Sequence, residues 1–278
     1  MQYRSITDLN NIIIKNINKF PKDIDIVVGI PRSGMLPANL IALYLNKPFT
    51  DIDSFIDGKC YACGYRKQFI KDLKTNKILI VDDSINTGSA MTKAMDKLKN
   101  LSQYKFIKSA IFGMSKSISK VDICCEIIDE DRIFQWNLFH HPSIISQSCL
   151  DIDGVLCSDP TPEQNDDGEK YKEFLLNAEP KFIPTVKIKT LITCRLEKYR
   201  KETKEWLRKN NIQYENLIML NLPDAQTRRK WGKYGEYKAK EYMKPQYKLF
   251  IESSLSEAKI IKSITNKSVF CIETMTML

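Results

Sequence analysis

Ile78–Met91 reads ILIVDDSINTGSAM. Ile78 to Val81 have the length and character of a buried strand. Asp82 and Asp83 emerge at its end, and Ser84-Ile85-Asn86-Thr87-Gly88-Ser89 forms a short loop of hydroxyls and glycine that opens a helix at Ala90. Backbone N–H groups at a helix N-terminus, approached closely past small side chains, make a cradle for a phosphate. Two adjacent carboxylates before that cradle suit paired sugar hydroxyls, directly or through a bound divalent metal. The segment therefore offers groups for both ends of a pentose 5-phosphate. The competing reading is a surface loop with an acidic corner.

The chain around this segment has 278 residues, enough for two domains of ordinary size. It is 43% hydrophobic and 28% charged, with 10 Gly and 11 Pro, which excludes disorder, collagen and low-complexity filaments. Its 43 Lys and Arg against 34 Asp and Glu give a formal charge of +9, which suits anionic partners without choosing among them. No secretory leader follows Met1 and the apolar stretches are strand-sized, so the expectation is a cytoplasmic protein without a membrane span. The eight cysteines are scattered and read as buried thiols in a reducing compartment. Cys60 and Cys63 form one CxxC with no second pair at zinc spacing, so a structural metal site is not expected.

Apolar runs alternate with amphipathic stretches along the whole chain, the pattern of βαβ units in α/β folds. Strands are expected at Ile24–Gly29, Lys77–Val81, Phe106–Met114 and Ile123–Ile128, then at Ile145–Ile152, Ile188–Thr193, Leu217–Leu220, Lys248–Ile251 and Val269–Ile272. Helices are expected at Ser5–Lys19, Met35–Leu45, Ala90–Asn100, Leu196–Asn210, Tyr234–Met243 and Ser256–Ile264. The polar stretch His140–Ser148 is the natural junction, giving domains 1–144 and 145–278. Parallel sheets bind ligands beyond the carboxyl ends of their strands, so the informative residues belong where strands run into loops.

Ile78–Met91 resembles the phosphoribosyl pyrophosphate (PRPP) motif of type I phosphoribosyltransferases. Upstream, Val27-Val28-Gly29-Ile30-Pro31-Arg32-Ser33-Gly34 resembles that family's pyrophosphate loop. Arg32 brings charge there, and Gly34 lets backbone amides reach an oxygen. The resemblance implies that Asp82 and Asp83 contact the ribose hydroxyls. It implies that Ser84, Asn86, Thr87, Gly88 and Ser89 wrap the 5-phosphate, and that Ile30, Pro31, Arg32, Ser33 and Gly34 hold the pyrophosphate with Mg²⁺. The family's mobile loop falls at Asp57–Gln68, with Arg66 and Lys67 as cations that close over the leaving group. No dedicated base for the acceptor is evident.

SCLDIDGVLC (Ser148–Cys157) is an apolar strand followed by Asp-x-Asp-Gly. A carboxylate at a strand end can attack a phosphate, and a second one two residues on can protonate the leaving oxygen and then activate water. A calcium loop would need oxygen ligands where Val155 and Leu156 stand. The segment resembles motif I of haloacid-dehalogenase-type (HAD) phosphatases. By that resemblance Asp151 is the nucleophile, Asp153 the acid and base, Thr193 the phosphate-holding hydroxyl, and Lys238 (or Lys240) the conserved-type lysine. Asp151, the Asp153 carbonyl and Glu252 would hold Mg²⁺. The departure lies at Glu252-Ser253, where the family usually shows paired aspartates. The short acidic insert Asp159–Tyr171 leaves room for only a minimal cap and reads as a solvated loop.

The fold expected is thus α/β with two domains: a type I phosphoribosyltransferase sheet with helices on both faces, then a Rossmann-like HAD domain. Such fusions are similar to bacterial polysaccharide ribofuranosyltransferases. The resemblance implies transfer of 5-phosphoribose from PRPP to an acceptor with release of pyrophosphate, then removal of the 5-phosphate. The implied acceptor is a sugar, oligosaccharide or lipid-linked glycan, with peripheral association at the inner membrane face and room for a homo-oligomer. Aromatic Arg132–His141 offers an acceptor surface or inter-domain packing. Basic, aromatic Thr227–Lys244 could bind nucleic acid, but a solvated amphipathic helix is the preferred reading and no nucleic acid is expected. Competing functions are a salvage phosphoribosyltransferase with nucleotidase activity, and a PRPP-sensing regulator.

Overall fold

The structure is a computed structural model that describes residues 1–61 and 75–278. Arg66, Lys67 and Cys63, with most of the expected Asp57–Gln68 loop, lie outside the described residues. The chain divides into two compact units, one of Gln2–Arg132 and one of Ile133–Leu278 together with Met1.

The first unit opens with strand β1 (Gln2–Arg4) and helix α1 (Ile6–Lys15). Ser5 and Asp8 start that helix as a reciprocal cap: Asp8 N–H donates to Ser5 Oγ at 3.0 Å, and Ser5 N–H to Asp8 Oδ2 at 2.8 Å. Then follow β2 (Ile26–Gly29), α2 (Met35–Leu45), β3 (Phe49–Asp51), α3 (Ile52–Ile56), β4 (Lys77–Ile85), α4 (Ser89–Leu98), β5 (Lys105–Gly113) and β6 (Ile123–Ile127). The sheet order is β3-β2-β4-β5-β6 and every pairing is parallel. Ile26, Val28, Ile78 and Ile80 are buried in one core cluster with Ile52, Phe55 and Met91. The chain reverses direction across the sheet at the β2/β4 gap, where Gly29 pairs with Val81. Such a switch point opens a crevice at the carboxyl ends of the strands.

The second unit takes in β7 (Arg132–Phe134, which spans the division), α5 (Pro142–Ile145), β8 (Ser148–Leu150), α6 (Glu169–Asn177), β9 (Ile188–Leu196), α7 (Arg200–Lys209), β10 (Tyr214–Leu220), α8 (Ala225–Trp231), α9 (Tyr234–Tyr242), β11 (Leu249–Glu252), α10 (Leu255–Thr265), β12 (Ser268–Cys271) and β13 (Thr276–Met277). Its sheet runs β10-β9-β8-β11-β12-β13, parallel except for the last strand. Here the order reverses between β8 and β11, so Asp151 and Glu252 leave neighbouring strands at one crevice.

Several boundaries differ from expectation. Residues 133–147 belong to the compact second unit because Leu138, Phe139, Ile144 and Ile145 are buried and Phe139 stacks on Phe182 at 4.8 Å. Ile145 closes α5, so the strand expected at Ile145–Ile152 shortens to Ser148–Leu150. Helix α6 occupies part of what read as solvated insert, and Tyr171, Phe174 and Leu175 bury its inner face. Thr227–Lys244 resolves into α8 and α9 around Gly232, which sits at φ +61°. Its aromatics are used in packing: Trp231 meets Tyr234 and Tyr237 edge-on, and Tyr242 is buried.

Helix α9 approaches α10 through Gly235, where an added Cβ would lie 2.8 Å from Ile260 Cβ. Gly235→Val should therefore cost about 1–3 kcal/mol of overpacking, read as a lower urea midpoint. It should also displace the helix that carries Lys238.

Candidate active sites

In the first unit the two motifs meet. Ile30 N–H donates to Val81 O at 2.9 Å, and Ser33 Oγ donates to Asp83 Oδ1 at 3.0 Å. Gly34 makes this close approach possible: a Cβ there would lie 2.6 Å from Ile30 O and 2.7 Å from Val81 O. Pro31 and Arg32 stand exposed on the loop, joined by a cis peptide bond. Asp82 and Asp83 are buried at the end of β4, which runs on to Ile85 instead of stopping at Val81. Burial, with Asp83 beside it, pushes the Asp82 carboxyl up to about 8. A carboxyl pair with one member protonated near neutrality is ready to exchange that proton for a cation or a donor group.

Gly88, at φ +82°, turns the chain from β4 into α4 and leaves Asn86, Thr87 and Ser89 exposed around the helix start. Thr87 Oγ1 accepts the Ser89 N–H at 3.3 Å. Three residues that the sequence did not assign to this loop support it. Ser117 Oγ donates to Asn86 O, Lys120 Nζ to Thr87 O at 2.5 Å, and an Arg132 guanidinium N–H to Ile85 O at 3.0 Å. Arg132 also lies beside Asp83, and burial draws its pKa down.

In the second unit Asp151, Asp153, Thr193 and Lys238 line one cavity of about 320 Å³, and Ser253, Ser254 and Glu257 share its wall. Lys238 is buried and donates to three carboxylates: Asp151 Oδ2 at 2.5 Å, Glu252 Oε2 at 2.8 Å and Glu257 Oε2 at 2.7 Å. Lys240 is exposed on the same helix. Desolvation pushes Asp151 up to about 7, against the pull of Lys238. Lys238 itself is held well above its usual value by Asp151 and Glu252, which outweigh its own burial. Glu252 is fixed by the N–H groups of Ser253 and Ser254 at 2.9 and 3.2 Å.

Asp153 faces Arg195, a residue the spacing did not single out. The buried guanidinium donates to Asp153 Oδ1 at 2.6 and 3.1 Å and to Oδ2 at 3.1 Å. Arg195 follows Thr193 by two on β9, a period that places both on one face of a strand. Gly154 stands at φ +72°, and a Cβ there would meet Ser253 at 2.4 Å, so the loop after Asp153 lies directly against the end of β11.

Three carboxylates, two of them buried and Glu257 partly exposed, surround one ammonium and leave excess negative charge, and oxygen donors of this kind suit a hard divalent cation. Among the described residues no three His, Cys, Asp or Glu side chains converge as a metal cluster. Mg²⁺ held by one or two carboxylates, a carbonyl and waters does not require one. Asp151 and Glu252 therefore fit such an ion.

At the first unit's parallel-sheet switch point a buried carboxyl pair stands beside a hydroxyl-rich helix start, groups that suit a sugar phosphate. A family model described as the phosphoribosyl transferase domain matches residues 2–142, just over half the chain. The chain belongs to the phosphoribosyltransferase family. It is 27% identical over 95 residues to a transcriptional regulator, GfcR, of Methanococcoides burtonii, a match covering 34% of this chain and 47% of the relative. The chain thus spans about half the length of that curated relative. Similar solved structures include a purine phosphoribosyltransferase from Pyrococcus horikoshii, at 19% identity and TM-score 0.37. Another is the xanthine-guanine-hypoxanthine phosphoribosyltransferase of Helicobacter pylori, at 17% and 0.38. Each match covers 49% of this chain and 92% of the other. No helix among the described residues is long and apolar enough to cross a membrane.

Two stability measurements test this electrostatic picture. The raised Asp82 pKa means that ionising it costs stability, a penalty absent near pH 4 and complete only above about 8. Asp82→Asn should match the native Tm at pH 4 and exceed it by several degrees at pH 8.5. Lys238→Met strands buried carboxylates, and should lower stability by about 3–5 kcal/mol at neutral pH, with a smaller deficit in acid where they protonate.

Proposed function

We propose that the chain is a bifunctional ribofuranosyl transferase. The first unit transfers 5-phosphoribose from PRPP to a hydroxyl of a saccharide acceptor, and the second, a HAD-type phosphatase, removes the 5-phosphate. The observation that carries the reading is the coincidence of two anion-handling strand ends in one chain: the Ser33–Asp83 contact between the PRPP motifs, and the Asp151–Lys238–Glu252 cluster beside Thr193. A phosphoribosyl transfer makes a phosphate monoester, and the second site has the nucleophile to consume it.

In the first reaction the bond between ribose C1 and pyrophosphate breaks as C1 bonds the acceptor oxygen, whose proton leaves to solvent. Arg32 and the amides of residues 30–34 receive the pyrophosphate, and Asp82 and Asp83 hold the ribose hydroxyls. Asn86 to Ser89 orient the 5-phosphate. Mg²⁺, when bound, supplies charge stabilisation to the leaving pyrophosphate and to the phosphoryl group. Arg66 and Lys67 are proposed to close over the leaving group.

In the second reaction an Asp151 oxygen attacks phosphorus and the P–O bond to ribose C5 breaks. Asp153 gives its proton to the departing oxygen, then takes one from the water that hydrolyses the aspartyl-phosphate. Its Oδ2, bonded only to Arg195 Nε, keeps a lone pair for that proton. Thr193 and Lys238 hold the phosphoryl oxygens, and Asp151, the Asp153 carbonyl and Glu252 would hold Mg²⁺, which would supply charge stabilisation there.

The match to a transcriptional regulator favours a second reading, in which the first unit senses PRPP without turning it over. Salvage of a nucleobase is the remaining alternative, tested by PRPP consumption with free bases in place of glycans. We place catalysis in the cytoplasm, with the acceptor on a lipid carrier and the chain peripheral to the membrane.

Asp151→Asn should accumulate a 5-phosphoribosylated acceptor, detected as an added mass of phosphoribose. Asp83→Asn should instead abolish pyrophosphate release while leaving phosphatase activity on a supplied phosphoribosyl product. Transfer that persists in Asp151→Asn without any phosphorylated intermediate would sink the two-step order.

A further inference from the structure

The cavity that holds Asp151 contains cations of two kinds. Lys238 is shared among three carboxylates, and Arg195 gives its fork to Asp153. Both are already ion-paired within the protein. Arg228 lines the same cavity and is held differently. One of its terminal nitrogens donates to Cys194 O at 3.2 Å and the other to Asn165 Oδ1 at 3.2 Å. Both acceptors are neutral, and among the described residues no carboxylate lies within ion-pair distance of it. The Tyr171 hydroxyl also bonds it. A guanidinium has five N–H donors, so these contacts fix its plane and leave donors and a whole charge for something else.

The surroundings are built to hold it there. Asp167 accepts the Ala225 N–H at 3.0 Å and Lys198 at 2.8 Å, and the Tyr199 hydroxyl at 2.9 Å. Asp224 caps α8 by accepting the Thr227 N–H at 2.7 Å. Asp166 accepts the N–H groups of Gly168 and Tyr171 at 2.8 and 3.0 Å, which orders the start of α6. The acidic insert is thus a scaffold that seats Arg228 over the site. Its Cys194 anchor is one residue from Thr193, the hydroxyl at the strand end. A preorganised, uncompensated guanidinium beside a nucleophile is a receptor for an anion.

We propose that Arg228 is a substrate-binding residue of this cavity, gripping the non-bridging oxygens of a dianionic phosphate monoester whose phosphorus faces Asp151. The proposal deepens the phosphatase reading and rests on it for the chemical step, but the binding it claims is measurable without turnover. The cavity, at about 320 Å³, lies at the small end of ligand pockets and suits a sugar phosphate. Lys230 is exposed on the same helix and outside the lining of this cavity, and serves as a control of equal formal charge.

The probe is inorganic phosphate, titrated by calorimetry into the full chain carrying Thr87→Glu. That exposed substitution puts a carboxylate in the first unit's phosphate loop and silences its response. Adding Arg228→Gln should weaken phosphate binding at least tenfold, Arg228→Lys should recover part of it, and Lys230→Gln should stay within twofold. Arg228→Gln removes the charge while keeping a polar amide, and an unchanged melting temperature separates lost binding from lost structure. Phosphate affinity within twofold in Arg228→Gln overturns the proposal, as does a parent chain that binds no phosphate. If phosphate binds through Arg228 yet ribose 5-phosphate is not hydrolysed, the binding site stands and the phosphatase reading fails.

Discussion

Buried carboxylates at the ends of parallel strands constrain everything else in this molecule. Asp82 and Asp83 lie near the carboxyl end of β4 in the first sheet, and in the second Asp151 follows β8 and Glu252 ends β11. Each group costs free energy to desolvate unless something answers its charge. The first unit answers weakly, with Ser33 and a nearby Arg132, and Asp82 remains protonated near neutrality. The second answers with a buried ammonium shared three ways. Both solutions leave negative charge in reserve. That reserve is an asset to a site that works with divalent cations and phosphate esters, and a liability to one that only needs to be stable.

The two sheets place these groups by the same topological device. Where successive strands depart in opposite directions across a parallel sheet, the connecting loops diverge and a crevice opens. Glycines then permit the loops to approach the strand ends: Gly34 against Ile30 O and Val81 O, and Gly154 against Ser253. A methyl group at either position would collide with its neighbours, so the sites depend on residues that carry no chemistry themselves.

Much of this was readable along the chain. The aliphatic run ending in Asp82-Asp83 and the one ending in Asp151-x-Asp153 are local signals, because strand burial and strand-end chemistry fall within ten residues of each other. Lys238 was recognisable as a candidate by position, and its contact with Asp151 distinguishes it from Lys240. Arg195 had a detectable signal, since it shares a strand face with Thr193. Arg228 fell inside the basic run Thr227–Lys244, but nothing local placed it at this cavity: its partner Asn165 lies 63 residues away, and Asp167 reaches 58 residues to Ala225. The acidic insert read as solvated because acidic side chains usually are; here their oxygens are occupied by backbone N–H groups and by Lys198 and Tyr199. Lys120 and Ser117 support the phosphate loop through its carbonyls, a contact that no residue type at those positions announces.

A bifunctional ribofuranosyl transferase releases two different phosphorus products in sequence. Phosphorus NMR of PRPP with the full chain and a lipid-linked oligosaccharide acceptor reads both at once. Pyrophosphate should appear first and orthophosphate after a lag, reaching equal amounts, with neither formed at that rate when the acceptor is omitted. Orthophosphate that appears without pyrophosphate, or pyrophosphate that is never followed by orthophosphate, would contradict it.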